Sequence, residues 1–197
     1  MRGAILIRRC AGRLAQVAAL CAIGTAVIAQ AATSEDSLKA AFLYNFAKYV
    51  DWPADAFPSG TLRICLFADT QFTHNVDEII EGESLAGRPV VRLSAPPVAD
   101  LSRLCNVVFV SATEGSRIEA TLASVRGARV LTVGEGSDFI RAGGMFAFIK
   151  EYDRIRFDAN VAEAERAGLT ISSRLLRLAR HVVTRSGGGR HGGGWRP

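Results

Sequence analysis

The chain has 197 residues, 24 basic and 19 acidic, for a formal charge of +5, and 49% of its residues are hydrophobic. The basic surplus is not spread evenly. Arg2, Arg8, Arg9 and Arg13 lie in an amino-terminal leader and Arg185, Arg190 and Arg196 in a carboxy-terminal tail, which leaves the stretch between them at −2. That balance excludes a nucleic-acid-binding domain, whose basic face would belong to the folded part. The roughly 150 remaining residues fit one domain with a sizeable core.

Residues 1–31 read as a secretory signal peptide, because the arginines precede an apolar run from Leu14 to Ile28 that closes on Ala29-Gln30-Ala31. The run is short for a membrane span. Leu20 stands before Cys21 where a lipoprotein signal needs a small residue, and Cys10-Ala11-Gly12 after Arg8-Arg9 gives twin-arginine export little support. Cleavage near Ala31 places the mature chain in the periplasm. Two of the four cysteines leave with the leader, so a disulfide within one chain would join Cys65 to Cys105 in an oxidising compartment. Two buried free thiols are the alternative.

The mature chain opens on LKAAFLYNFAKYVDWP, Leu38 to Pro53. Phe42, Phe46, Tyr49 and Val50 recur at helical spacing, Ala41, Leu43 and Ala47 widen that side, and Pro53 is expected to stop the helix near Asp51. LRICLFAD, Leu62 to Asp69, is the first strand. Phe72, Val76, Ile79 and Ile80 form the stripe of a helix that ends before Gly82, and Arg88 to Ser94 is a second strand. After Pro96-Pro97 and a short turn or helix at Asp100 to Leu104, NVVFVS, Asn106 to Ser111, reads as a strand buried on both faces. Ser116 and Glu119 have capping-box spacing for a helix carrying Ile118, Leu122 and Val125, which Gly127 ends, and Arg129 to Val133 is the next strand. Strands and helices alternating in this way predict an α/β domain with a mainly parallel sheet flanked by helices.

From Gly143 the alternation breaks. Met145 to Lys150 and Ile155 to Asn160 are close enough for an antiparallel hairpin across Tyr152-Asp153, with Phe146, Phe148, Ile155 and Phe157 on the core face. The opposite face would carry Ala147 and Ile149 beside Arg156, Asp158 and Asn160. A helix from Val161 to Ala167 stops at Gly168, and Ser172 caps a last helix whose stripe is Leu175, Leu176, Ala179 and Val182, with Arg174, Arg177 and Arg180 around it. Residues 32–184 thus form one domain, and the glycine-rich residues 185–197 a disordered tail.

The aromatic-rich helix with its Trp-Pro stop, the Cys-bearing strand, GGMFAFIKEYDRIRFDAN, RAGL and ISSRLLRLA together resemble the YfiR-like family of periplasmic proteins, over nearly the whole mature chain. The resemblance implies a secreted repressor that holds an inner-membrane diguanylate cyclase inactive by binding its periplasmic sensor region, touching the membrane only through that partner. It also supports a Cys65–Cys105 bridge, while the second cysteine pair of some members, near the late hairpin, is missing here. Candidate partner contacts are Ile149, Arg156 and Asn160 on the hairpin and Arg174 and Arg177 on the last helix; a homodimer stays open.

The residues offer little chemistry. No histidine sits in a nucleophile, zinc or general-base motif, and His74 with Asp77 and Glu78 reads as an exposed helix face before it reads as a metal site. Gly134-Glu135-Gly136 lacks the third glycine of a phosphate loop and is read as a turn. No enzyme, metal or cofactor is expected. The alternative function is a small-molecule binding domain serving another receptor, with Ser111 to Ser116 and Gly134 to Asp138 lining a cleft at the carboxyl ends of the strands.

Overall fold

A computed structural model describes residues 35–93 and 96–184. The proposed signal peptide and glycine-rich tail lie outside the described residues. The elements run in order as α1 (35–48), then β1 (Val50–Asp51), β2 (Leu62–Phe67), α2 (Thr70–Ile80), β3 (Ser84–Leu85), β4 (Arg88–Leu93), α3 (Leu101–Leu104), β5 (Val107–Val110), α4 (Ile118–Val125), β6 (Leu131–Glu135), α5 (Ser137–Arg141), β7 (Phe146–Glu151), β8 (Arg154–Asn160), α6 (Val161–Arg166), β9 (Thr170–Ile171), α7 (Ser173–Leu176) and β10 (Val182–Val183).

Eight strands make one sheet in the order β10-β8-β7-β6-β5-β2-β4-β3. The pairs are parallel from β4 across to β7 and again between β8 and β10, and antiparallel in the β7–β8 hairpin and between β3 and β4. The fold is therefore α/β with a mainly parallel sheet and a late hairpin. The two-residue period of the strands divides their side chains between two cores. Ile64, Val107, Phe109, Val133, Phe146 and Phe148 meet α1, α2, α6 and α7 on one face. Cys65, Phe67, Val108, Val110 and Ala147 meet α3, α4 and α5 on the other.

Phe46 explains why α1 is so apolar. Its ring, fully buried, stacks on Phe146 at 4.3 Å between centroids and meets Phe157 edge-on at 4.9 Å, which locks the helix across the start of the hairpin. The helix stops three residues earlier than the Pro53 signal predicts. Trp52 Nε1 donates to the Ala47 carbonyl at 3.0 Å, and Val50 and Asp51 leave the helix to pair with Ile171 and Thr170 as a separate two-stranded ribbon.

Other departures have equally local causes. Ser116 does not cap α4: a 3₁₀ turn over Ala112–Arg117 satisfies the first amides, with the Ile118 amide donating to the Gly115 carbonyl. The strand expected from Arg129 starts at Leu131, because residues 127–130 are consumed in a turn entered through Gly127 at φ +73°. The final helix ends at Leu176 instead of reaching Val182. The free edge of β8 takes over its chain: the Arg180 amide donates to the Phe157 carbonyl, the His181 carbonyl accepts from Ala159, and Val182 pairs with Ala159. Of the Gly134-Glu135-Gly136 stretch expected as a turn, Gly134 and Glu135 extend β6, and Gly136 caps a helix, α5, that the sequence reading did not include.

Cys65 on β2 and Cys105 just before β5 are joined by a disulfide, with 5.9 Å between their α-carbons and both side chains buried. The bridge closes a loop of 40 residues in sequence separation. Replacing both cysteines by Ala is expected to cost about 4 kcal/mol on the chain-entropy estimate. Urea unfolding with and without reductant checks this: reductant should lower the midpoint of the native chain and leave the double variant unmoved. Equal midpoints for all four conditions would mean the bridge contributes nothing.

Candidate partner-binding face

Strands β7 and β8 pair with Ile149 opposite Arg156, Ala147 opposite Asp158 and Phe148 opposite Phe157. The register is the one expected, so one hairpin face is core and the other carries the mixed set. That mixed face is not uniformly open. Ala147 and Asp158 are buried, Ile149 is half-buried, and Arg156 is exposed. Asn160 turns inward: it is 6% exposed, and its Oδ1 accepts the Glu163 amide as the cap of α6. It therefore drops out of the contact set, while Ile149 and Arg156 remain side by side on it.

The side chain that sequence reasoning missed is Tyr152. It occupies the hairpin turn at φ +54° and is 95% exposed. A bulky residue in the left-handed region costs conformational energy, and nothing in the fold is gained by exposing its ring. The turn itself was legible, but a residue outside the strand alternation belongs to neither face, so periodicity carried no signal for it.

Arg180 braces this face from the outside. Its Nε and Nη2 reach the two Asp158 oxygens at 2.9 and 2.8 Å, and Nη1 reaches Glu151 at 3.3 Å. The hydrogen bond to Asp158 raises the Arg180 pKa above its ordinary value, against the opposing effect of burial. Arg180 was grouped with the outward arginines of a helix; it is instead a bidentate clamp between β8 and β10.

On the core side of the hairpin tip, Lys150 Nζ contacts Glu35 at 2.7 Å, Glu35 contacts Lys39 at 2.8 Å, and Lys39 contacts Glu135 at 2.7 Å. Hydrogen bonds from Lys150 and then Lys39 lower the Glu35 pKa, overcoming its burial. Burial works against the Lys39 charge, yet the hydrogen bonds to Glu135 and Glu35 outweigh it and the pKa rises. Asp36, left at 3.9 Å from Lys39, is raised by burial. This chain ties the start of α1 to the hairpin and to the end of β6.

Glu135 also decides what the neighbouring cleft can hold. The cleft, about 420 Å³, lies at the carboxyl ends of β5 and β6 and is lined by Ala112, Glu135, Gly136 and Ser137 together with Ile149 and Lys150. The Glu135 carboxylate accepts the Ala112 amide at 2.6 Å. The backbone donor that would greet an anionic solute is thus occupied by the protein's own carboxylate. Elsewhere Asp77 takes Arg92 bidentately at 2.6 and 2.9 Å, which leaves His74 with Glu78 alone, at 3.3 Å, and the described residues contain no group of three or more metal-ligating side chains. Arg174 and Arg177 lie exposed on and just after α7, beyond the Ser172 cap, and among the described residues no side-chain hydrogen bond or ion pair joins them to the hairpin face. No helix among the described residues is long and apolar enough to cross a membrane.

Two solved structures align with this chain at low identity. The ABC domain in complex with L-Trp from Streptococcus pneumoniae aligns at 13% identity with a TM-score of 0.51, covering 73% of this chain and 60% of that one. A conserved domain protein from Vibrio cholerae aligns at 15% with a TM-score of 0.45, covering 61% and 54%. This chain thus spans less than two thirds of either. The sequence family described as YfiR/HmsC-like matches residues 36–180.

Proposed function

Because the chain belongs to the YfiR/HmsC-like family, matched across almost all of its described residues, we propose that it is a periplasmic regulatory protein. It binds the periplasmic sensor region of an inner-membrane diguanylate cyclase and represses it, lowering cyclic-di-GMP signalling, and performs no catalysis itself. The observation that carries a protein partner over a solute is the hairpin tip. Tyr152 is almost fully exposed in the strained turn of the hairpin whose strands carry the Ile149–Arg156 pair, and tyrosine and arginine are among the side chains enriched as interface anchors. The cleft a solute would use already has its strand-end amide paired with Glu135.

Repression requires that the regulator bind the inactive form of the cyclase more tightly than the active one. The test is cellular cyclic-di-GMP in the native host with the gene deleted, then restored with its leader. Deletion should raise the level, the exported form should reverse it, and a leaderless form should not. Tyr152→Ala with Ile149→Glu, exported and folded, should fail to restore repression, since losing an anchor of this kind weakens binding by about thirtyfold. An unchanged level on deletion overturns the reading, and full repression by the double variant removes the hairpin tip from it.

A further inference from the structure

A cavity lies at the opposite end of the sheet from the hairpin tip, and the partner reading above does not use it. It measures about 510 Å³ and sits at the amino ends of β2, β5 and β6, with Arg63, Arg103 and Arg129 on its walls. A second cavity of about 420 Å³ adds Arg126 and Arg141. Gly127 and Arg166 line both, so the two adjoin and are taken together as the arginine groove. Six arginines and no lysine meet there, against two acids, Asp55 and Glu163, in a domain whose formal charge is −2.

Part of this charge is answered locally. Asp55 holds Arg129 at 2.7 Å, Asp100 holds Arg103 at 3.0 Å, Glu163 pairs with Arg166, and Asp138 pairs with Arg141. Each of those acids contacts a terminal guanidinium nitrogen, so four of the six arginines already carry an ion pair. Arg63, half-buried on β2, and Arg126, exposed at the end of α4, have no ion pair among the described residues. The carboxyl ends of α3, α4, α5 and α6 also converge here and favour cations, but three of those helices have four to six residues and correspondingly weak dipoles. The surplus is left for a ligand.

We propose that this groove binds an acidic peptide segment of a protein partner. Guanidinium forks engage carboxylates bidentately, and arginine clusters are a recurrent means of reading acidic motifs. Because the arginines are strung along two adjoining cavities, no single small anion meets them all, whereas an extended chain with successive carboxylates does. The floor is stiff. Asn106 accepts the Arg63 amide at 2.9 Å and donates to the Ala56 carbonyl at 2.7 Å, and its neighbour Cys105 is held by the disulfide.

The test is fluorescence anisotropy of a labelled hexaglutamate peptide titrated with the purified mature chain at low and at physiological ionic strength. Binding should be measurable and should weaken with salt. Arg126→Glu and Arg63→Gln should each lower affinity about tenfold, whereas Arg154→Glu on the hairpin, with the same charge change as Arg126→Glu, should leave it within about twofold. Melting temperatures would confirm that all three variants are folded. No binding at low salt overturns the proposal, as does equal loss in Arg126→Glu and Arg154→Glu. So does displacement of the peptide by an equal concentration of inorganic phosphate, which would mark a small-anion site. Arg126-dependent binding to phosphatidylglycerol vesicles without peptide binding would assign the groove to a membrane surface instead.

Discussion

Gly144→Ala should destabilise the protein by about 3 kcal/mol or more, the upper range for overpacking a core. A β-carbon at Gly144 would meet ring atoms Cδ1 and Cε1 of Phe139 inside any normal contact distance, and the Phe139 carbonyl oxygen at 2.9 Å. A β-carbon at Gly134 would strike the other side of the same ring. Phe139 has no exposure at all and lies between two glycines on neighbouring strand ends, so it has no direction in which to yield. The consequence reaches the candidate face, because α5 carries Phe139 and links β6 to β7, and Gly136 and Ser137 at its start line the cleft beside Ile149.

Urea unfolding followed by far-ultraviolet circular dichroism gives the cost directly. The partner variant Phe139→Ala should itself lose about 3 to 5 kcal/mol through the cavity it leaves. Combined with Gly144→Ala it should lose less than the two singles together, since the added methyl then has somewhere to go. Additive losses would mean that Gly144 is required for its backbone and not for its closeness to the ring.

The same packing shows where sequence reading reaches its limit. Strands β2 and β5 were legible because fully buried parallel strands are continuous apolar runs, and the hairpin because its faces alternate. Asn160 was placed on the correct face of β8 and misjudged in exposure, since only the start of α6 overhead makes it a cap. Arg180 was invisible as a clamp for a different reason. Its helical spacing from Arg174 and Arg177 is real, but the edge of β8 offers hydrogen bonds that outcompete another turn of helix, and no local pattern records a sheet edge made elsewhere in the chain. The arginine groove has the same character. Arg63, Arg103, Arg126, Arg129, Arg141 and Arg166 are scattered along the chain with no motif, and only the convergence of the amino ends of β2, β5 and β6 with the carboxyl ends of α3, α4, α5 and α6 brings them together.

Asp158→Asn tests how far the hairpin face depends on that clamp. Asp158 is 5% exposed and accepts both arms of the Arg180 guanidinium, so the substitution keeps the shape and removes the charge that the arginine was placed to meet. Breaking a fully buried pair costs about 3 to 5 kcal/mol. The Arg180 side chain is 25% exposed and keeps its contact with Glu151, so a loss of about 2 kcal/mol is expected. The sign of the pH effect follows from Arg180. Its folded pKa is raised above the ordinary guanidinium value, so the stabilisation carried by its charge is fully present below that ordinary value and is lost only as pH rises through the raised one. The Asp158→Asn penalty should therefore be the same at pH 7 and pH 9, and the variant should release β10 from β8, exposing the Ala159 amide to hydrogen exchange ahead of the rest of the sheet. A penalty under about half a kcal/mol would class the pair with surface ion pairs of little worth. In that case the backbone bonds of Arg180 and His181, rather than the guanidinium clamp, would hold the edge strand and the face it braces.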